Sequence, residues 1–117
     1  MGGNLQIKGA KMRFFGLKNC DTCRKALKEL SGHEVEVIDV RSDGVSADDQ
    51  AAMIAAFGAA VLNTRSTTWR NLSQDEKALE PAELLSQHPT LMKRPVLAID
   101  GAWYQGWTPA TKAAVGV

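Results

Sequence analysis

The chain has 117 residues, 44% hydrophobic and 23% charged, which fits one ordinary globular domain. A net charge of +1 excludes a global field that draws in nucleic acid or an anionic membrane. No apolar run approaches the ~18 residues of a membrane span, and two cysteines three apart are not the scattered set of a secreted disulfide scaffold.

Residues 1–11 are rich in Gly and Lys and precede a second methionine, Met12. They read as a leader or tag, the alternative being a native tail, and residues 12–117 read as a single domain. The start lacks the apolar h-region of a signal peptide, so the expected location is the cytoplasm.

Residues 12–16 (MRFFG) predict a short buried strand. Lys18-Asn19 makes a polar loop, and a helix is expected from Cys20 or Asp21. Its apolar positions Cys23, Ala26, Leu27 and Leu30 follow the spacing of one helical face, and Ser31-Gly32 stops it. Residues 35–40 (VEVIDV) predict a second strand, which favours a parallel pair joined by a crossover helix. Ser46 with Asp48 and Asp49 caps a helix running to Phe57, and residues 59–62 add a turn.

Residues 63–68 (NTRSTT) read as a polar loop. Ser73 with Glu76 three later signals a capping box, and Pro81 breaks that helix or opens the next, over 82–87. Residues 95–99 (PVLAI) predict a third strand, Asp100-Gly101 a hairpin turn, and residues 102–107 the returning strand. Thr108-Pro109 opens a last helix. The fold class is α/β. Four strands in a mixed sheet, flanking helices and a central helical insert make the thioredoxin-like arrangement.

The chemistry concentrates at Asn19-Cys20-Asp21-Thr22-Cys23-Arg24. A cysteine at a helix N-terminus meets unpaired backbone N–H groups and the positive end of the helix dipole, and both favour the thiolate nucleophile. Lys18 and Arg24 add positive charge nearby, and Asp21 opposes it. Cys23, one turn on, is a candidate resolving thiol, or simply a core cysteine on the apolar face. Zinc needs four ligands, and beyond the two cysteines only His33 and His88 remain, so no metal is expected. Arg94-Pro95 opens a strand with a residue that cannot donate to a ladder. Thioredoxin-like domains place a cis-proline in this slot facing the cysteine, where Arg94 would hold an anionic group next to Cys20; the alternative is an exposed arginine before an edge strand. Arg65 and Arg70, with hydroxyls and Trp69, form either an anion pocket or a loop anchored by the tryptophan.

Three segments together resemble the arsenate reductase-like (ArsC/Spx) family, and most nearly its YffB-type members. They are residues 16–22 (GLKNCDT), residues 62–70 (LNTRSTTWR) and residues 94–97 (RPVL). The resemblance runs from about Met12 to the C-terminus. It implies Cys20 as catalytic thiol, Arg94 beside it and Arg65 as a second basic element. It also implies glutathione as co-substrate, with no bound cofactor, its carboxylates suiting Lys18, Arg65, Arg94 and the Pro95 turn. The expected function is a glutathione-linked thiol–disulfide oxidoreductase. The alternatives are an arsenate reductase and a redox-sensing regulator like Spx, whose partner is RNA polymerase. Residues 106–109 (GWTP) lack the further arginine that arsenate reductases of the family carry after the last strand.

Overall fold

The computed structural model describes residues 12–117, so the leader reading of 1–11 lies outside the described residues. The described chain resolves into two compact units. One contains residues 12–39 and 94–117, and the other residues 40–93.

The first unit is built on a four-stranded sheet. Strands β1 (Met12–Gly16), β2 (Glu36–Asp39), β3 (Val96–Ile99) and β4 (Ala102–Gln105) lie in the order β2-β1-β3-β4. β1 pairs parallel with β2, with Phe14 opposite Val37, and antiparallel with β3, with Phe14 opposite Leu97. β3 and β4 form the expected hairpin, Leu97 facing Tyr104. Its turn residues Asp100 and Gly101 have φ of 49° and 86°, the two positive values that a tight hairpin matching strand twist requires. The last strand stops at Gln105, short of the expected 107. Gly106 takes φ 82° and still donates in register to the Pro95 carbonyl at 2.7 Å, but Pro95 has no N–H to return the bond, so the ladder ends there.

Helix α1 (Asp21–Glu29) follows β1 directly, and its apolar stripe is the reason it folds onto the sheet. Cys23, Ala26 and Leu30 pack with Phe14 and Leu97 and with Val115 of the last helix. Full burial of a side chain such as Phe14 or Leu97 contributes about 1.5–3 kcal/mol. Surface ties reinforce this layer. Trp107 Nε1 donates to Glu29 Oε2 at 3.1 Å, and His33 Nε2 lies 3.1 Å from the Val115 carbonyl.

The second unit is helical: α2 (Ala47–Phe57), a 3-10 turn (Gly58–Val61), α3 (Thr67–Arg70), α4 (Gln74–Lys77), α5 (Pro81–Gln87) and a second 3-10 turn (Pro89–Leu91). Buried Leu72, Leu84 and Leu91 form its core with Leu62, Trp69 and Leu79. Residues 63–68 are not wholly loop. The Ser66 hydroxyl accepts the Trp69 N–H at 3.1 Å, so Thr67 and Thr68 open a helical turn. The capping box at Ser73 and Glu76 is formed in both directions, at 3.1 and 3.0 Å. The last helix, α6 (Pro109–Val115), returns to the first unit. Thr108 is its cap and Pro109 stands in its first turn.

Candidate active site

β1 ends at Gly16, and a turn over residues 17–20 leads into α1. Its closing bond runs from the Cys20 N–H to the Leu17 carbonyl at 3.3 Å. Cys20 is the N-cap of α1, with φ −99° and ψ 118°. Its side chain fills the place usually taken by a Ser or Asp oxygen, and Sγ accepts the Cys23 N–H at 3.4 Å. The capping position thus aims an unpaired helical N–H at sulfur.

Cys20 is partly exposed and Cys23 is 1% exposed. Both are free thiols. Burial alone pushes the Cys20 thiol up. Hydrogen bonds from the Cys23 side chain and backbone oppose it, as do the hydrogen bond and positive charge of Arg94, and together they hold Cys20 below the ordinary thiol value. Cys23 goes the other way. Burial, and then the neighbouring Cys20 sulfur as hydrogen-bond partner and as charge, push it up to about 12. The inner thiol is therefore the harder of the two to ionise.

Arg94 stands at the mouth of β3, before a cis peptide to Pro95, which has no N–H to offer the sheet, and its side chain is a hydrogen-bond partner of Cys20. Arg24 stays outside. Its guanidinium pairs with Asp21 and donates to the Lys18 carbonyl at 3.4 Å, so Asp21 has a counter-charge of its own. Lys18 is exposed, and the group of it held in place is its carbonyl rather than its ammonium.

Arg65 belongs to the helical unit. There it lines a cleft of about 290 Å³ with Leu62, Asn63, Thr64 and Lys93. The Asn63 side chain accepts the Arg65 N–H at 3.0 Å, and Arg70 donates to the Arg65 carbonyl at 3.3 Å, which fixes the loop that carries the cation. Lys93 was not among the residues singled out from the sequence. As a lysine before an Arg-Pro pair it carries no pattern, and only the cleft shows its place. Among the described residues no group of three His, Cys, Asp or Glu side chains comes together. No helix among them is long and apolar enough to cross a membrane.

The family model of ArsC proteins matches residues 15–114. The chain belongs to the ArsC family. The match takes in the Cys20 turn, the helical unit and the Arg94–Pro95 strand together. Among relatives, an uncharacterized protein of Haemophilus influenzae is 45% identical over 94 residues, covering 74% of this chain and 82% of the relative. The global transcriptional regulator Spx 2 of Bacillus cereus is 30% identical over 87 residues, covering 68% of this chain and 66% of the regulator. A solved structure of a protein named YffB superposes with a TM-score of 0.82 at 32% identity, covering 88% of this chain and 96% of that one. Both the family and the nearness to YffB-type members accord with the resemblance carried by the three segments. The α/β, thioredoxin-like arrangement expected from the element order is the one observed.

Proposed function

We propose that this ArsC-family chain is a glutathione-linked thiol–disulfide oxidoreductase with Cys20 as nucleophile. One observation carries the reading. The Cys20 sulfur sits at a helix N-cap, holds the Cys23 N–H, and has the Arg94 guanidinium beside it, while the neighbouring buried thiol keeps the proton. A sulfur so placed is ionised more readily than a free cysteine and is partly open to solvent, the two conditions for attack on a disulfide. Family membership, and a likeness at 30% identity to the solved structure of an arsenate reductase (ArsC) related protein from Brucella melitensis, support thiol redox chemistry.

The Cys20 thiolate attacks one sulfur of a disulfide. A mixed disulfide on Cys20 forms as the substrate S–S bond breaks, and the leaving thiolate takes up a proton. Cys23 or a glutathione thiol then attacks the Cys20 sulfur and releases the second half. Arg94 offsets negative charge on the entering and leaving sulfurs. Within the sheet unit, Lys18 and the Pro95 turn suit a carboxylate of glutathione; within the helical unit, the cleft at Arg65 and Lys93 suits a carboxylate too. The cytoplasm, where glutathione is kept largely reduced, suits this chemistry.

The test is turnover of hydroxyethyl disulfide with glutathione, glutathione reductase and NADPH. NADPH consumption above background is expected from the wild type and none from Cys20→Ser. Equal rates from the two proteins overturn the reading. The likeness to Spx 2 favours a second reading, a redox-sensing regulator in which the two cysteines are the switch. Capture of RNA polymerase subunits that changes with oxidant, in a protein without turnover, selects it over the first.

A further inference from the structure

Gly16 closes β1 opposite Asp39 and is buried. Its backbone does not need glycine, because its φ lies outside the positive region that Gly44, Gly58, Gly101, Gly106 and Gly116 occupy. What it lacks is room. A Cβ at position 16 stands 2.9 Å from Cys23 Sγ, 3.3 Å from Cys23 Cβ and 2.8 Å from Phe14 Cε1. Carbon and sulfur in contact at that separation repel, so one of the neighbours has to move. Phe14 is 0% exposed and Cys23 1%, both locked into one cluster with Ala26, Leu30 and Leu97, so neither has a free end to swing away. Cys23 is also one helical turn from Cys20 and bonded to its sulfur through the backbone, so a shift of its side chain changes the geometry between the two sulfurs.

We propose that Gly16 is a positioning residue whose missing side chain is the seat of the Cys23 sulfur, and that it makes Cys23, rather than a second glutathione, the group that resolves the mixed disulfide. The proposal rests on the thiol–disulfide reading above and names the resolving step within it. Oxidised glutathione is the oxidant. Cys20 thiolate attacks it, forming the Cys20–glutathione disulfide and releasing one glutathione. Cys23 then loses its proton and attacks the Cys20 sulfur. The Cys20–Cys23 bond forms as the bond to glutathione breaks, and the departing glutathione thiolate accepts a proton. Two protein thiols are oxidised and one external disulfide is reduced to two thiols. The second step competes with attack by free glutathione, and it wins only while the inner sulfur is held in line with the bond it breaks.

The reduced protein is treated with oxidised glutathione, quenched in acid and weighed intact, so that an internal disulfide is separated from a glutathione adduct. The wild type is expected to form the internal disulfide. Gly16→Ala is expected to keep glutathione on Cys20, with internal closure slowed roughly tenfold to a hundredfold, the cost of displacing a reacting atom by part of an ångström. Gly16→Ala/Cys23→Ala covers the case in which the single variant is too unstable to study. Removing the sulfur relieves the 2.9 Å contact with Cys23 Sγ while leaving those with the Cβ of residue 23 and with Phe14. The alanine at 16 is therefore expected to lower the urea midpoint less in the Cys23→Ala background than in the wild type. Equal losses in the two backgrounds overturn the proposal, and so does a Gly16→Ala protein that closes as fast as the wild type. A wild type that stops at the adduct overturns it too, leaving a one-cysteine enzyme intact. A wild type that neither takes up glutathione nor closes removes the thiol–disulfide reading itself, and this proposal with it.

Discussion

Arg94 gives the Cys20 sulfur both a hydrogen bond and a nearby positive charge. Arg94→Ala is expected to move the pH midpoint of Cys20 alkylation by iodoacetamide upward, toward that of a free thiol. Arg94→Lys is expected to recover part of the shift, since it restores charge but not the planar fork of donors. An unmoved midpoint in the alanine variant refutes the assignment. Asp21, the carboxylate next in sequence to Cys20, is paired at the surface with Arg24. Arg24→Ala is expected to raise the midpoint by a smaller amount, because both partners are largely exposed and screened. Asp21→Asn in that background is expected to return it. Cys20, Cys23 and Arg94 were legible from the chain because a Cys-x-x-Cys at a strand–helix junction and an Arg-Pro before a strand are local patterns. Gly16 and Lys93 were not. The first matters through a contact with a residue seven positions on, and the second through the walls of a cleft, and neither leaves a mark in composition or period.

Most helix starts follow one device. Ser46, Ser66, Ser73 and Thr108 each accept the backbone N–H three residues on. In α1 the cap is Cys20, a sulfur in the place where those four helices use a hydroxyl oxygen. Ser46→Ala is expected to cost about 1 kcal/mol in urea unfolding, the usual value for a lost hydroxyl cap, with Ser46→Asp close to neutral. Glu76 closes the capping box of α4. The Ser73 backbone N–H and then His88 hold its carboxyl below the usual carboxylate range. Its contribution is fully present above that range and is lost as pH falls through its lowered value. Caps and breakers made these elements readable, and β1 fell where its flanking glycine and apolar run placed it. Residues 63–68 were misread because Ser and Thr signal a loop and a cap equally well. Which role they take depends on whether Trp69 finds a core, and here it packs against Leu72, Leu84 and Leu91.

At the scale of the whole molecule the two cysteines make folding depend on pH in opposite directions. The Cys23 thiol rises from an ordinary 9.0 to about 12 on folding. A raised value stabilises the fold fully below the unfolded value and loses that contribution as pH climbs from about 9 toward 12. Cys20 is lowered, so its contribution is present above the ordinary thiol range and fades as pH falls through its folded value. Urea midpoints of the reduced protein are therefore expected to drop more steeply above pH 9 in the wild type than in Cys23→Ala. Parallel curves for the two proteins contradict the burial of that sulfur. The division into a discontinuous sheet unit and a continuous helical unit was only partly legible. The order of strands and helices shows where an insert begins and ends, and says nothing of how compact it becomes.

Cys20 lies before the helical stretch and Arg94 directly after it, in a unit whose two halves flank residues 40–93. During synthesis the thiol emerges well ahead of its guanidinium. A half-made chain thus carries a sulfhydryl that lacks the guanidinium's share of its acidity, and that share is added only once the last third of the polypeptide has been made.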